Sequence, residues 1–274
     1  MIRKAVVLAR GLGTRMRRSE GGRELEPDKL LWAERGLKAL IPIWGRPFLD
    51  YIVASLSQAG VRRVCLVVAP DADQMRDYAR RVSRTAPCEV ECAVQQSPRG
   101  TADAVLAAER FADAESFILT NSDNLFPVSA LSALARRGGE GQCVGVFPRR
   151  RLVREGNISE ERVREFAVVS ISGEGELLGI VEKPSDPDSF ARRGEVFVSM
   201  NLYGFSPAIF DACRRVAPDP ERGELELTSA VTDLIESGGA SFDVVLCEGP
   251  VLDLTRRADV AAAERALQGC ELCF

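Results

Sequence analysis

The strongest constraint in this sequence is an alternation. Within the first 121 residues, short apolar runs rich in β-branched side chains, KAVVLA (4–9), RVCLVVA (63–69), VECAVQ (90–95) and SFILTN (116–121), take turns with the helix-period segments PFLDYIVASLSQAG, DADQMRDYARRVS and TADAVLAAERF. A chain that switches period in this way folds as a parallel sheet wrapped by helices, because parallel neighbours need a crossover connection. The runs are apolar almost throughout, which fits burial on both faces. Pro47 is placed to open the first long helix and Gly60 to close it.

Past about residue 140 the pattern changes to consecutive strands, QCVGVFPR, REFAVVSIS and LLGIVEKP, with GEGE (173–176) as the turn between the last two. A mixed or antiparallel extension of the sheet is expected there. VFVSMNLYGF reads as a further strand, PAIFDACRRVA and ELTSAVTDLIESGG as helices, SFDVVLCEG as a returning strand and ADVAAAERAL as a last helix. The expected fold class is α/β: a Rossmann-like, mixed but mainly parallel sheet flanked by helices in three αβα layers. The 274 residues sit at the upper end of what one domain commonly holds. A single domain over residues 1–274 is expected, with an N-terminal part of about 1–140 and a second part of about 141–274. No internal repeat interrupts this reading. Residues 17–36, RRSEGGRELEPDKLLWAERG, are charged and lack a sustained period, and are expected to form a long loop.

The 36 Lys and Arg against 40 Asp and Glu leave a formal charge of −4, which argues against a general binder of nucleic acid or acidic membrane. An anionic ligand must then be held by locally gathered cations. No apolar run approaches the roughly 18–20 residues of a membrane span, and the N-terminus reads as a strand rather than a signal peptide. A cytoplasmic protein is expected. The eight cysteines are scattered, with Cys65 and Cys143 inside apolar runs where reduced thiols act as small core residues, so no disulfide framework is expected. Cys270 and Cys273 have a metal-like spacing, but no second pair and no histidine accompany them, and zinc is not expected. The complete lack of histidine means that the chemistry must run without imidazole.

Directly behind the first apolar run stands LARGLGTRMRR, in which two glycines are followed by Arg15, Arg17 and Arg18. Met16 stands where a dinucleotide fingerprint needs its third glycine, which disfavours hydride chemistry. The Gly-Lys-Ser/Thr ending of a Walker loop is also missing. What remains is a glycine loop with backbone donors and guanidinium forks, groups that suit a polyphosphate. An ordinary glycine turn with solvated arginines remains the alternative at this point.

Further motifs follow in order: GLKALIPIWGRPFLDY, QQSPRGTADAVLAAE, LTNSDNLFP, IVEKPSDP, GELELTSAV and VLDLTRRADV. With the glycine loop, this series resembles the nucleotidylyltransferases that make nucleotide sugars from a nucleoside triphosphate and a sugar 1-phosphate, and it covers nearly the whole chain. The resemblance implies the nucleotide-diphospho-sugar transferase type of fold. It also implies that Ala9, Gly11, Gly13, Thr14 and Arg15 form the triphosphate loop, Arg15 stabilising the departing pyrophosphate. Arg10 stands where the family has alanine.

The same resemblance makes Lys38 the signature lysine, although Leu37 replaces the usual preceding proline; Lys29 is the competing candidate. Gln95, Gly100 and Thr101 fall where the family reads the nucleobase, with helix capping as the plain alternative for Thr101. Asp123, at the carboxyl end of a central strand, and Asp253 are implied as the carboxylates that hold Mg²⁺. Ser122 replaces a family glycine, and the tryptophan that accompanies the second aspartate is missing. Glu182 would accept hydrogen bonds from sugar hydroxyls, Lys183 would neutralise the sugar phosphate, and Asn201 would contact the sugar. Thr228 would close the sugar pocket or merely start a helix.

Arg15, Lys38, Asp123 and Lys183 are therefore the implied catalytic set. The implied partners are an NTP and a sugar 1-phosphate, with no nucleic acid and no membrane; a homo-oligomer is left open. A nucleotidylyltransferase for a non-sugar phosphate and a sensing subunit without turnover are the competing functions.

Overall fold

The computed structural model describes residues 1–11, 13–17, 25–139, 141–238, 240–272 and 274. Nine strands form its main sheet: β1 (Lys4–Leu8), β2 (Arg63–Val68), β3 (Glu89–Val94), β4 (Phe117–Asn121), β5 (Gln142–Pro148), β6 (Ala167–Ile171), β7 (Leu177–Val181), β8 (Phe197–Phe205) and β9 (Phe242–Leu246). β3, β2, β1 and β4 lie side by side and parallel, in the order 3-2-1-4. β8 pairs antiparallel with β4 along one half and with β6 along the other, and β5 accompanies both halves. β7 pairs antiparallel with β6, and β9 parallel with β5. The sheet is thus parallel where the sequence alternates and mixed after residue 140.

Alternate strand residues feed two cores. Ala5, Val7, Val64 and Leu66 pack with the helices Phe48–Gln58, Asp73–Val82 and Val128–Arg137 on one face. Val6, Cys65, Val67 and Leu119 pack with Thr101–Ala107, Ala208–Arg215 and Leu227–Glu236 on the other. This is the expected three-layer arrangement, driven by strands that have no polar face to give to water. Burial pushes the thiols of Cys65, Cys143, Cys213 and Cys247 up to about 12, so they serve as core atoms rather than nucleophiles. Among the described residues no helix is long and apolar enough to cross a membrane.

Two expectations need correction. Residues 17–36 are not a loop throughout: Pro27–Glu34 is a helix with proline in its first turn, its Ala33 fully buried and Trp32 packed on the core. Its eight residues are too few to display a sustained period, and proline supplies the start by fixing φ. Residues 18–24 lie outside the described residues. The strands after residue 140 are not consecutive either, because the short helices Arg149–Glu155 and Glu160–Val163 separate β5 from β6.

Register sets the functional edge. Leu8 lies opposite both Val67 and Asn121, so β1, β2 and β4 end level with one another. The chain runs outward from β1 through β2 to β3 and then returns to the other side of β1 as β4. A reversal of this kind opens a crevice at the carboxyl ends of the strands. Gly100 closes one wall of it. With φ at +118°, this residue has backbone so near Leu225 that an added Cβ would stand 2.5 Å from both the Leu225 nitrogen and oxygen. Gly100→Ala is expected to lose about 2 kcal/mol or more of stability in urea unfolding. Gly173→Ala, where a Cβ meets nothing within 4 Å, should stay within about 0.5 kcal/mol of the parent.

Candidate active site

The crevice is a cleft of about 360 Å³ lined by Leu8, Arg10, Gly11, Lys38, Val67, Gln95, Pro98, Gly100, Thr101, Ala104, Asn121, Ser122, Asp123, Asn201 and Glu224. Backbone bonds carry the strand ladders into its loops: Ala9 N–H donates to Val67 O (2.9 Å), Gln95 N–H to Val68 O (3.0 Å) and Ser122 N–H to Leu8 O (3.1 Å). The floor is therefore sheet, and its first loop residues are fixed rather than free.

On one side of the cleft, Gln95 is 4% exposed and its amide donates to Gly100 O (3.0 Å) and to Asp103 Oδ2 (2.9 Å). Arg10 donates from Nε to the Gln95 carbonyl at 2.9 Å, so the residue that departs from the family's alanine braces the wall that bears Gln95. Thr101 does not cap its own helix. Gly100 occupies the cap position, and Thr101 Oγ1 instead accepts from Leu227 N–H at 2.8 Å, tying this wall to the helix Leu227–Glu236. The capping reading of Thr101 fails because glycine already supplies the bend.

On the other side stands an ion pair. Lys38, in a short 3₁₀ turn, meets Asp123 Oδ2, and both side chains are largely covered. Lys29 is engaged elsewhere, 2.5 Å from Glu264. Asp123 does not cap the following helix, which begins after Pro127. Its carboxylate accepts from Thr255 Oγ1 (3.4 Å), and its carbonyl accepts from Leu254 N–H (2.8 Å).

The Leu252–Asp253 strand pairs antiparallel with Asn124–Leu125, setting Asp253 opposite Asn124 and beside Asp123. Asp253 lies behind the cleft, buried. Its Oδ2 accepts from Asn124 Nδ2 (3.2 Å), its Oδ1 meets the buried Arg162 guanidinium, and its backbone is clasped by Asn157 through two 2.7 Å bonds. Arg162 also reaches Asp259 at 2.9 Å. Burial raises the Asp253 pKa, the charge of Asp123 raises it further, and Arg162 opposes both.

A third group centres on Glu182. Glu182 has a raised pKa, first from burial and then from Glu226, against the pull of Arg222, Lys183 and a hydrogen bond from Thr228. Thr228 is buried in the first turn of its helix, so its hydroxyl serves Glu182 rather than the helix start. Lys183 is exposed with φ at +43°. Asn201, at φ +56°, sits where the pairing register of β8 shifts between Ser199 and Tyr203. Left-handed backbone is least costly for asparagine among non-glycine residues, and here it places Asn201 in the cleft wall.

The glycine loop divides. Gly11 lines the cleft, whereas a Cβ on Gly13 (φ +58°) would meet Gly36 backbone at 2.8 Å, so Gly13 serves packing. Leu12 lies outside the described residues. Thr14 and Arg15 begin a single helical turn, and Arg15 is paired with Glu165 at 2.9 Å rather than aimed into the cleft. The structure thus brings Gly11, Lys38, Gln95, Gly100, Thr101, Asp123 and Asn201 together on one cleft. Ala9, Gly13, Thr14, Arg15, Glu182, Lys183 and Asp253 do not line it.

Sequence reasoning missed Arg162, Asn157, Thr255 and Asp259. Asp259 has a sequence signal: it stands three residues after Arg256, and its carboxylate accepts from Thr255 and Arg256 N–H at 2.9 and 2.7 Å. Arg162, within EERVREF, has none, because a buried arginine looks like a solvated one in a charged segment.

A family model described as nucleotidyl transferase matches residues 33–248. The chain belongs to that family, and the resemblance read from the motif series is borne out. It is 30% identical to a UTP–glucose-1-phosphate uridylyltransferase of Haloferax volcanii, over 97% of this chain and 96% of the relative. It is 29% identical to a glucose-1-phosphate thymidylyltransferase of Streptomyces antibioticus over 96% of its own length, which is 66% of that relative. In fold it is similar to a UDP-glucose pyrophosphorylase solved with UDP-glucose, with TM-score 0.74 at 20% identity over 97% of this chain and 98% of the other. A UTP-bound enzyme of the same type from Acinetobacter baumannii gives TM-score 0.71 at 19% identity, over all of this chain and 96% of the other.

Removing the buried cation leaves two buried carboxylates unpaired. Arg162→Met is expected to cost about 3–5 kcal/mol of unfolding free energy at pH 7, read from the urea midpoint.

Proposed function

We propose that this chain joins an NTP and a sugar 1-phosphate into a nucleotide-diphospho-sugar, releasing pyrophosphate. The observation that carries the reading is the Lys38–Asp123 pair at the switch point of the sheet, in one cleft with Gln95, Gly100 and Thr101 and with Asp253 directly behind. Residues of about 1–140 would hold the nucleotide, and residues of about 141–274 would hold the sugar phosphate.

Magnesium fits this donor set. Asp123 and Asp253 would offer hard oxygen ligands, and the Asp253 pKa is raised first by burial and then by the charge of Asp123. Among the described residues no group of three or more His, Cys, Asp and Glu is placed to hold a metal, so the protein would supply two carboxylates, and phosphate and water the rest. When bound, the ion would neutralise phosphate charge and hold the reacting groups in line.

The chain's own residues do the remaining work. Lys38 balances Asp123 in the free protein and would meet phosphate oxygens when the triphosphate arrives. Arg15, one residue beyond Thr14, would exchange Glu165 for the leaving pyrophosphate, a stronger partner for a guanidinium. The Gln95–Gly100 wall would hold the base. Glu182, oriented by Thr228, would accept from sugar hydroxyls, and Lys183 would meet the sugar phosphate. A phosphomonoester has its second pKa near about 6, so the attacking oxygen is already ionised at neutral pH. No general base is required, in keeping with a chain that has no histidine. Holding two anions in line while neutralising their charge is the catalytic task, and it is carried out in the cytoplasm on this reading.

The test is pyrophosphate release with Mg²⁺, a panel of NTPs and a pool of sugar 1-phosphates, run beside Asp123→Asn. Release should need both substrates and fall on the order of 10²–10³-fold in the variant. Turnover of phosphocholine instead of sugar 1-phosphates would point to a non-sugar acceptor. NTP binding without release from any pair would mark a sensing subunit.

A further inference from the structure

A second cavity, of about 360 Å³, gathers positive charge away from the cleft. Arg149, Arg150 and Arg154 of the helix Arg149–Glu155 line it together with Arg164, Glu160 and two valines, and it shares no lining residue with the catalytic cleft. Arg149 is paired with Asp188. Among the described residues, Arg150, Arg154 and Arg164 have no ion pair or hydrogen-bonded side-chain partner.

All three are exposed, so water screens their charge without neutralising it. Arg150 and Arg154 are four residues apart on one helix, where like charges repel, and Arg164 adds a third positive charge to the same concavity. Four guanidinium groups against the carboxylates of Glu160 and Asp188 leave two positive charges in excess. A phosphomonoester carries about −1.5 to −2 at neutral pH and offers three acceptor oxygens, which matches that excess and the donor forks. The cavity wall is also joined to the active site. Arg162, which holds Asp253, belongs to the helix Glu160–Val163, and Glu165, which holds Arg15, adjoins Arg164.

We propose that this cavity is an effector site for a phosphomonoester metabolite, separate from the catalytic cleft, whose occupancy is felt at Arg15 and Asp253 through residues 160–165. Only the rate part of this inference rests on the transferase reading, because binding needs no turnover.

The experiment is calorimetric titration of the full chain, without nucleotide, with glucose 6-phosphate, a phosphomonoester that lacks the anomeric phosphate of the proposed substrate. Wild type, Arg150→Ser/Arg154→Ser and Lys183→Ala are compared, with thermal melting to show that the variants fold. Saturable binding should weaken about tenfold or more in the arginine variant and stay unchanged in Lys183→Ala. Binding that survives the arginine changes and is lost in Lys183→Ala would put the phosphate in the cleft and overturn the site, as would no binding to wild type. In the pyrophosphate assay, saturating glucose 6-phosphate should shift the rate of wild type and leave that of the arginine variant unmoved. Binding with no shift in rate would overturn the effector role.

Discussion

A guanidinium buried between two aspartates ties together the chain segments behind the cleft. Arg162 engages Asp253 and Asp259, Asp253 accepts from Asn124, and Asp123, the chain neighbour of Asn124, pairs with Lys38. Four stretches distant in sequence, around residues 38, 123, 160 and 255, thereby share one charge network. Burying an arginine is costly, and the cost is offset only when its partners are well placed. Here Asn157 fixes the backbone of Asp253, and the start of the last long helix fixes Asp259. Without the Arg162 guanidinium, the carboxylate nearest Asp123 would be buried with no cation beside it.

On the proposed reading, that network lets a site with no histidine carry out phosphoryl chemistry. The reacting phosphates would bring their own nucleophile and their own negative charge, and the protein would supply cations in fixed positions. Lys38 is fixed by Asp123, and Arg15 is held at Glu165. Each cation has an acidic partner in the free protein, which keeps positive charge near the cleft at a tolerable energy until a stronger anion replaces the carboxylate. The raised pKa values of Glu182, from burial and Glu226, and of Asp253, from burial and Asp123, mark the two places where negative charge is crowded. These are the sugar side and the metal side of the proposed reaction.

Periodicity made the parallel half of the sheet legible, because a strand buried on both faces must be apolar and its crossover helix must show a helical stripe. The same reasoning lost Pro27–Glu34, whose eight residues begin on proline and bury little beyond Ala33. It also lost the helix at Arg149–Glu155, where a run of arginines hides the single buried Leu152. Among site residues, Asp123 was legible because the end of a central strand is where such sheets bind ligands. Arg162 and Asn157 were not, since nothing local distinguishes an arginine or asparagine that will pair with a residue some ninety positions away. Thr101 and Thr228 were legible as helix-start residues, yet their hydroxyls meet Leu227 N–H and Glu182, contacts that only the packed helices create.

The central claim is that the anomeric phosphate of a sugar attacks the α-phosphorus of a nucleotide in the cleft at Asp123. The most direct measurement follows phosphorus label from NTP incubated with sugar 1-phosphate and Mg²⁺, placed at the α position in one reaction and the γ position in another. The account predicts α label in a nucleotide-diphospho-sugar and γ label in pyrophosphate. Label at γ appearing in orthophosphate, or on the sugar, would contradict it.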